Sequence, residues 1–179
     1  NCSEVHGIEL QESFIRNMHS NTIGCSSQMP KDSTYDVITL FHVLEHLPNF
    51  RAQLNQLRTY LKPDGQGTII VEVPHANDFL LTDLDSKSFK RFTLWSQHLV
   101  LHTRDSLRRT LTDAGFRNVT IEGVQRYGIS NHLKWLTSAQ AGGHKSILSV
   151  FETPELTQAY SAALRKIDAC DTLVAVAST

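Results

Sequence analysis

The chain has 179 residues, 40% hydrophobic and 20% charged, which suits one globular domain and argues against disorder. A formal net charge of −1 supplies no broad basic field, so nucleic acid is not an expected partner and any ligand must be chosen by a local site. Cys2, Cys25 and Cys170 are widely spaced and form no CxxC pair. They suggest neither a disulfide framework nor a zinc knuckle, and a reducing cytoplasm is expected. No apolar run approaches the roughly 20 residues that cross a bilayer, so no membrane partner is expected either.

In chain order, Glu4–Leu10 predicts a short strand ending on an acidic residue. Glu12–Ser20 predicts a helix with Phe14, Ile15 and Met18 on one face. A brief extended piece, Thr22–Cys25, and a polar loop lead to a second apolar run, Tyr35–Phe41. After Pro48, the apolar residues Phe50, Leu54, Leu57 and Leu61 keep helical spacing until Lys62-Pro63-Asp64-Gly65 stops them. Gly67–Pro74 predicts another buried strand, followed by a polar loop over His75–Lys90. Thr103 is a candidate N-cap for a helix carrying Leu107, Leu111 and Ala114, closed by Gly115. A strand through Val119, Ile121 and Val124 comes next. Residues 125–149 lose clean periodicity apart from a short helix near Asn131–Thr137, and are read as a lid-like insertion. Thr153-Pro154-Glu155 starts the last helix, with Leu156, Tyr160, Leu164 and Ile167 on one side, and Asp171–Ser178 forms the last strand. Strands and helices alternating at this spacing predict βαβ units and a mostly parallel sheet flanked by helices, an α/β fold of Rossmann-like type.

Tyr35–Pro48 is the stretch where chemistry is expected. Its first seven residues read as a strand covered on both faces, and His42, Glu45 and His46 follow at once. Ligands in open α/β sheets bind outside the carboxyl ends of strands. The run His42–His46 also fits H-x-x-E-H, the zinc-peptidase pattern in which two helical histidines hold the metal and the glutamate is the base. A strand running straight into the motif and Pro48 just after it speak against that helix, and no third ligand is marked out. No metal site is assigned from the sequence.

Taken together, VHGIEL (Val5–Leu10), YDVITLFHVLEHL (Tyr35–Leu47), LKPDG (Leu61–Gly65), GTIIVEVP (Gly67–Pro74) and HTRDSLRRTLTDAGF (His102–Phe116) resemble a class I S-adenosylmethionine-dependent methyltransferase. The resemblance implies a sheet of order 3-2-1-4-5-7-6 with the seventh strand antiparallel, of which this chain supplies strands two to seven. The family's first strand and glycine-rich motif have no counterpart in it, so an N-terminally truncated enzyme is expected. S-adenosylmethionine is the implied cofactor. Glu9 would accept hydrogen bonds from the ribose hydroxyls, Cys25 and Ser26 would lie at the adenine, and Phe41, His42 and Val43 would border the methionyl end.

His46, with Glu45, is the implied acceptor-side pair, and His46 is the candidate base for an oxygen or nitrogen nucleophile. Trp95, His98, Tyr127, His132 and Trp135 form an aromatic and histidine-rich set expected to line a small-molecule acceptor pocket, with 125–149 as its cap. The acceptor atom is oxygen, nitrogen or carbon of a sugar or other metabolite. Two other readings stand beside this one: a zinc metallopeptidase, and a non-catalytic fragment of the same fold serving as a binding or dimerisation module. A homodimer is the expected assembly.

Overall fold

β-branched and aliphatic residues at alternate positions build the strands of this chain, and apolar residues three and four apart build the helices that cover them. The computed structural model describes residues 2–20, 24–30 and 33–179. It contains two compact units, residues 1–34 and 35–179.

In the first unit, β1 (His6–Ile8) and β2 (Gly24–Ser26) pair in parallel, with Gly7 opposite Cys25, and α1 (Glu12–Ser20) joins them. Met18 packs from α1 towards β1: a Cβ on Gly7 would lie 3.0 Å from its sulfur. The expected strand over Glu4–Leu10 shrinks to three residues. Phe14 does not share the packed face, being 52% exposed. Thr22 and Ile23 lie outside the described residues.

The second unit is a four-stranded sheet of β3 (Val37–Phe41), β4 (Thr68–Pro74), β5 (Arg117–Val124) and β6 (Thr172–Ser178), in the order β3-β4-β6-β5. β3 and β4 run parallel, and β6 runs antiparallel to both β4 and β5. That order and the reversed last strand agree with strands four to seven of the expected arrangement, and the fold is a mostly parallel, Rossmann-like sheet flanked by helices. Helices α2 (Phe50–Thr59) and α4 (Arg104–Asp113) contribute Leu54, Leu107 and Leu111 to the core, where they meet Ile69, Val71, Val73, Leu173 and Ala175, all essentially inaccessible. The turn between α2 and β4 needs glycine at 67, where a Cβ would stand 2.5 Å from the Lys62 carbonyl oxygen.

α4 begins as the sequence predicts. The Thr103 hydroxyl accepts from Ser106 N (3.2 Å), while the Ser106 hydroxyl accepts from Thr103 N (2.9 Å), a reciprocal capping box. Gly115, at φ +84°, closes the helix in the left-handed conformation. Thr103→Ala is expected to destabilise the protein by about 1 kcal/mol, read as a lower urea midpoint at unchanged slope. α6 (Pro154–Lys166) starts as expected, with the Thr153 hydroxyl accepting from Leu156 N (3.3 Å).

Several expectations change. β3 is not covered on both faces: within its sheet it pairs only with β4, and Val37 and Phe41 are 49% and 55% exposed. β4 likewise buries only its alternate residues Ile69, Val71 and Val73 fully, because α2 and α4 pack on that face. The stretch after β4 is not a polar loop. Leu80 and Leu81 are buried in it, and it contains a helix, α3 (Lys87–Thr93), capped by Ser86. α5 (Ile129–Ser138) is longer than predicted, and residues 143–151 form two 3-10 turns. On α6 only Leu164 is buried, whereas Leu156 and Ile167 are exposed. Among the described residues no helix is long and apolar enough to cross a membrane.

Candidate active site at the carboxyl edge of the sheet

Because β3, β4 and β5 point the same way and β6 the opposite way, one edge of the sheet gathers four segments. His42–His46 leaves β3, His75–Asp78 leaves β4, Gln125–Tyr127 leaves β5, and Asp171 precedes β6. This is the edge at which ligands bind in open α/β sheets.

The first segment bends sharply. His42 adopts φ +53°, and Leu44–His46 make a single 3-10 turn. The motif His42–His46 therefore does not lie on an α-helix and does not present its histidines one turn apart, as the peptidase pattern requires. The turn is pinned from outside by the segment after α3. Leu99 N donates to the Glu45 carbonyl (2.9 Å), and His46 Nδ1 donates to the Gln97 carbonyl (2.7 Å). His98 Nδ1 donates to the Thr93 carbonyl (2.7 Å).

A carbonyl oxygen can only accept, so both rings carry a proton on Nδ1, and in the neutral form their Nε2 keeps the lone pair. The rings stand 4.9 Å apart, tilted by 47°. Glu45 lies between them and the core, fully buried, and neither of its carboxylate oxygens receives a hydrogen bond. One carboxylate oxygen of Glu45 and one ring nitrogen from each of His46 and His98 lie within 4.8 Å of one another. A cleft of about 360 Å³ opens beside them, lined by His46, Ser96, Gln97 and Leu99. His98 and Leu99 also border a second cleft of about 410 Å³ that reaches Lys90 and Leu81. Trp95, 45% exposed, meets the His98 ring edge-on.

His42 is held by groups that the sequence did not single out. Its Nε2 lies 3.0 Å from Glu72 of β4, and Arg126 pairs with the same carboxylate at 3.2 Å. Its Nδ1 is 3.3 Å from Glu45. Nothing in the spacing of Glu72 or Arg126 marked them, because their meeting depends on the register of β3 against β4 and on the return of β5. Phe41 and Val43 flank His42 and are exposed.

The expected acceptor-pocket residues separate into three places. Trp95 and His98 stand beside His46. Tyr127 is 48% exposed, its N–H donates to Asp171 (3.0 Å), and the Arg126 guanidinium lies over its ring. His132 and Trp135 point inward. His132 Nδ1 donates to the Tyr160 hydroxyl (2.7 Å), and its Nε2 accepts from the Gln125 amide (3.2 Å). Burial lowers its pKa to about 4 and raises that of Tyr160 to about 12. Trp135 packs against Phe89 and Phe92, with ring centroids 5.3 and 5.1 Å away.

Asp78, 3% exposed, accepts from Leu80 N (2.6 Å), and burial is the main cause that raises its pKa to about 7. In the first unit, Glu9 is half-buried just past β1 and accepts from Leu10 N (2.7 Å) and Gln11 N (2.9 Å) through Oε1. Cys25 is buried within β2. The Ser26 hydroxyl is engaged by the Gln28 carbonyl and by His6 Nε2.

A family model described as a methyltransferase domain matches residues 3–121. This chain belongs to that methyltransferase domain family. The comparison of folds agrees and points to class I S-adenosylmethionine-dependent enzymes. An S-adenosylmethionine-dependent methyltransferase from Archaeoglobus fulgidus superposes with TM-score 0.61 at 16% identity, covering 97% of this chain and 75% of its own. One from Thermotoga maritima gives 0.62 at 14% identity, covering 97% and 72%. One from Mesorhizobium loti gives 0.57 at 14% identity, covering 100% and 82%. No curated protein sequence matches. The cofactor of these enzymes, S-adenosylmethionine, carries an electrophilic methyl group on a sulfonium.

Proposed function

We propose that this chain transfers the methyl group of S-adenosylmethionine to an oxygen or nitrogen of a small polar metabolite, with the acceptor entering the cleft beside His46. The observation that carries this reading is the pair of imidazoles whose Nδ1 protons are tied to the Gln97 and Thr93 carbonyls. His46 lines this cleft and His98 the neighbouring one, and in the neutral rings Nε2 keeps the lone pair. An oxygen or nitrogen nucleophile must lose a proton as it attacks, and an oriented neutral imidazole is suited to take it. His46 holds that role. Trp95 and His98 form the adjoining wall. Glu45 braces His46 from the buried side.

For the cofactor, Glu9 fits best. Its carboxylate is oriented by two backbone N–H donors at the carboxyl end of a strand and stays partly accessible, as ribose hydroxyls require. His42, held by Glu72 and flanked by Phe41 and Val43, is assigned to the border of the methionyl end. Cys25 and Ser26 fit less well as side-chain contacts. Cys25 faces inward and the Ser26 hydroxyl is already bonded, so adenine would be held there by backbone and packing. Residues 125–149 are assigned to a cap, in which His132 and Trp135 secure the interior and Tyr127 faces out.

Calorimetric titration with S-adenosylhomocysteine tests the cofactor half of this reading. One site per chain is expected, weakened about 10- to 100-fold in Glu9→Ala, the scale of losing hydrogen bonds to a charged acceptor. Absence of binding, or unchanged binding in Glu9→Ala, would remove it.

A further inference from the structure

Glu45 is the residue whose surroundings the methyl-transfer chemistry leaves unexplained. A carboxylate is one of the groups least tolerated in a protein interior without donors or a counter-charge. This one is fully buried, and neither oxygen accepts a hydrogen bond. Among the described residues, the charged or chargeable neighbours in reach are imidazoles: His42 Nδ1 at 3.3 Å and His46 Nε2 at 3.8 Å. The Nδ1 atoms of His46 and His98 donate to backbone carbonyls, so in the neutral rings Nε2 is the nitrogen left to bind a ligand. A buried carboxylate beside two imidazoles calls for a positive charge among them, supplied by a proton or by a metal cation.

A cation explains each of these features. Metal-bound histidines characteristically donate their other ring N–H to a backbone carbonyl or carboxylate, which sets the tautomer and aims the ring. Both histidines here do so. The three candidate ligand atoms fall within 4.8 Å of one another. Two ligands on one tetrahedral ion with bonds of about 2 Å stand roughly 3.3 Å apart, so small side-chain rotations would close the set. Two imidazoles and one carboxylate suit first-row divalent ions such as zinc, iron, cobalt or manganese rather than calcium or magnesium, which prefer oxygen ligands throughout. Three protein ligands with a cleft on the remaining side leave coordination positions open, as in catalytic rather than structural sites.

We propose that Glu45, His46 and His98 form a three-ligand site for a divalent first-row transition-metal ion, open towards the cleft lined by His46, Ser96, Gln97 and Leu99. This is a different set from the H-x-x-E-H pattern: His42 is not a ligand but stands behind the carboxylate, held by Glu72, and Glu45 binds rather than acting as base. If the methyl-transfer reading holds, the ion would bind the acceptor oxygen and favour its deprotonated form, taking over the role that Nε2 of His46 has in the metal-free chain. That role rests on the methyl-transfer reading. The binding site does not.

The test uses the full chain without an affinity tag, in three forms: wild type, His98→Gln, whose side chain is half-exposed and peripheral to the core, and His144→Gln, an exposed histidine on a separate 3-10 turn. Zinc binding is followed by calorimetry, and cobalt binding by its visible absorption. About one ion per chain is expected for wild type and His144→Gln, with at least ten-fold weaker binding in His98→Gln, and His46→Gln is expected to behave as His98→Gln does. No stoichiometric binding by wild type, or binding by His98→Gln and His46→Gln equal to wild type, overturns the proposal. S-adenosylhomocysteine titrated into the same samples keeps the two readings apart, since cofactor binding without zinc binding sinks the metal site alone.

Discussion

Asp78→Asn is expected to stabilise the protein by about 4 kcal/mol at pH 8 and by close to nothing at pH 3. The carboxyl group is 3% exposed, and burial lifts its pKa from 3.8 to about 7. A raised carboxyl pKa means that the folded chain holds a proton which the unfolded chain has released. Between pH 3.8 and about 7 the folded state therefore binds more protons than the unfolded state, and stability falls as pH rises. Asparagine keeps an oxygen that can accept from Leu80 N and carries no charge, so the variant escapes the decline.

His132 acts in the opposite direction. Its folded pKa lies near 4 against an ordinary 6.5, so stability falls as pH drops through that interval in both proteins. Subtracting wild type from Asp78→Asn at each pH cancels this background, provided the two sites are independent. Urea denaturation at half-unit steps from pH 3 to 8 measures the difference. A difference that stays flat across the range would show that Asp78 is ionised in the fold at little cost.

Leu44→Ala is expected to cost about 2–5 kcal/mol, the range for emptying a leucine site in a close-packed core. Leu44 is fully buried and belongs to the main core with Leu54, Leu61 and Ile69. It is also the first residue of the 3-10 turn that carries Glu45 and His46, so the cavity opens directly beneath the candidate site. Leu54→Ala, on α2 in the same core, serves as the comparison. Both variants should lose similar stability by urea titration. Only Leu44→Ala should also weaken zinc binding, because misplacing two of three ligands by a fraction of an ångström breaks the set. Equal zinc affinity in the two variants would show that the turn is held by its hydrogen bonds to Gln97 and Leu99 rather than by its buried leucine.

The contrast between Leu44 and its neighbours shows what sequence could and could not reveal about this site. The H-x-x-E-H spacing was plain and invited a helical zinc site, but its physical premise is that residues four apart share a face. That premise fails when the chain turns through φ +53° at His42 and then makes one 3-10 turn. His98 was marked only as one of several aromatic and histidine residues. Its meeting with His46 depends on Leu99 N reaching the Glu45 carbonyl, a contact between residues more than fifty positions apart. Glu72 and Arg126 carried no signal for the same reason.

By itself the sequence determined the elements whose cause is local. Helical spacing from Phe50 to Leu61, the Thr103 and Thr153 caps, the glycine at 115, and the order of strands characteristic of a methyltransferase could all be read, because propensity, capping and period act within a few residues. Tertiary structure alone decided burial and convergence. Apolar runs such as Tyr35–Phe41 look the same at an edge as in the middle of a sheet, so only pairing revealed Val37 and Phe41 as exposed. His132 and Trp135, read as pocket residues, and Glu45, read with His46 as an acceptor-side pair, differ by what surrounds them. Desolvation depends on atoms brought from distant segments, which no local pattern encodes.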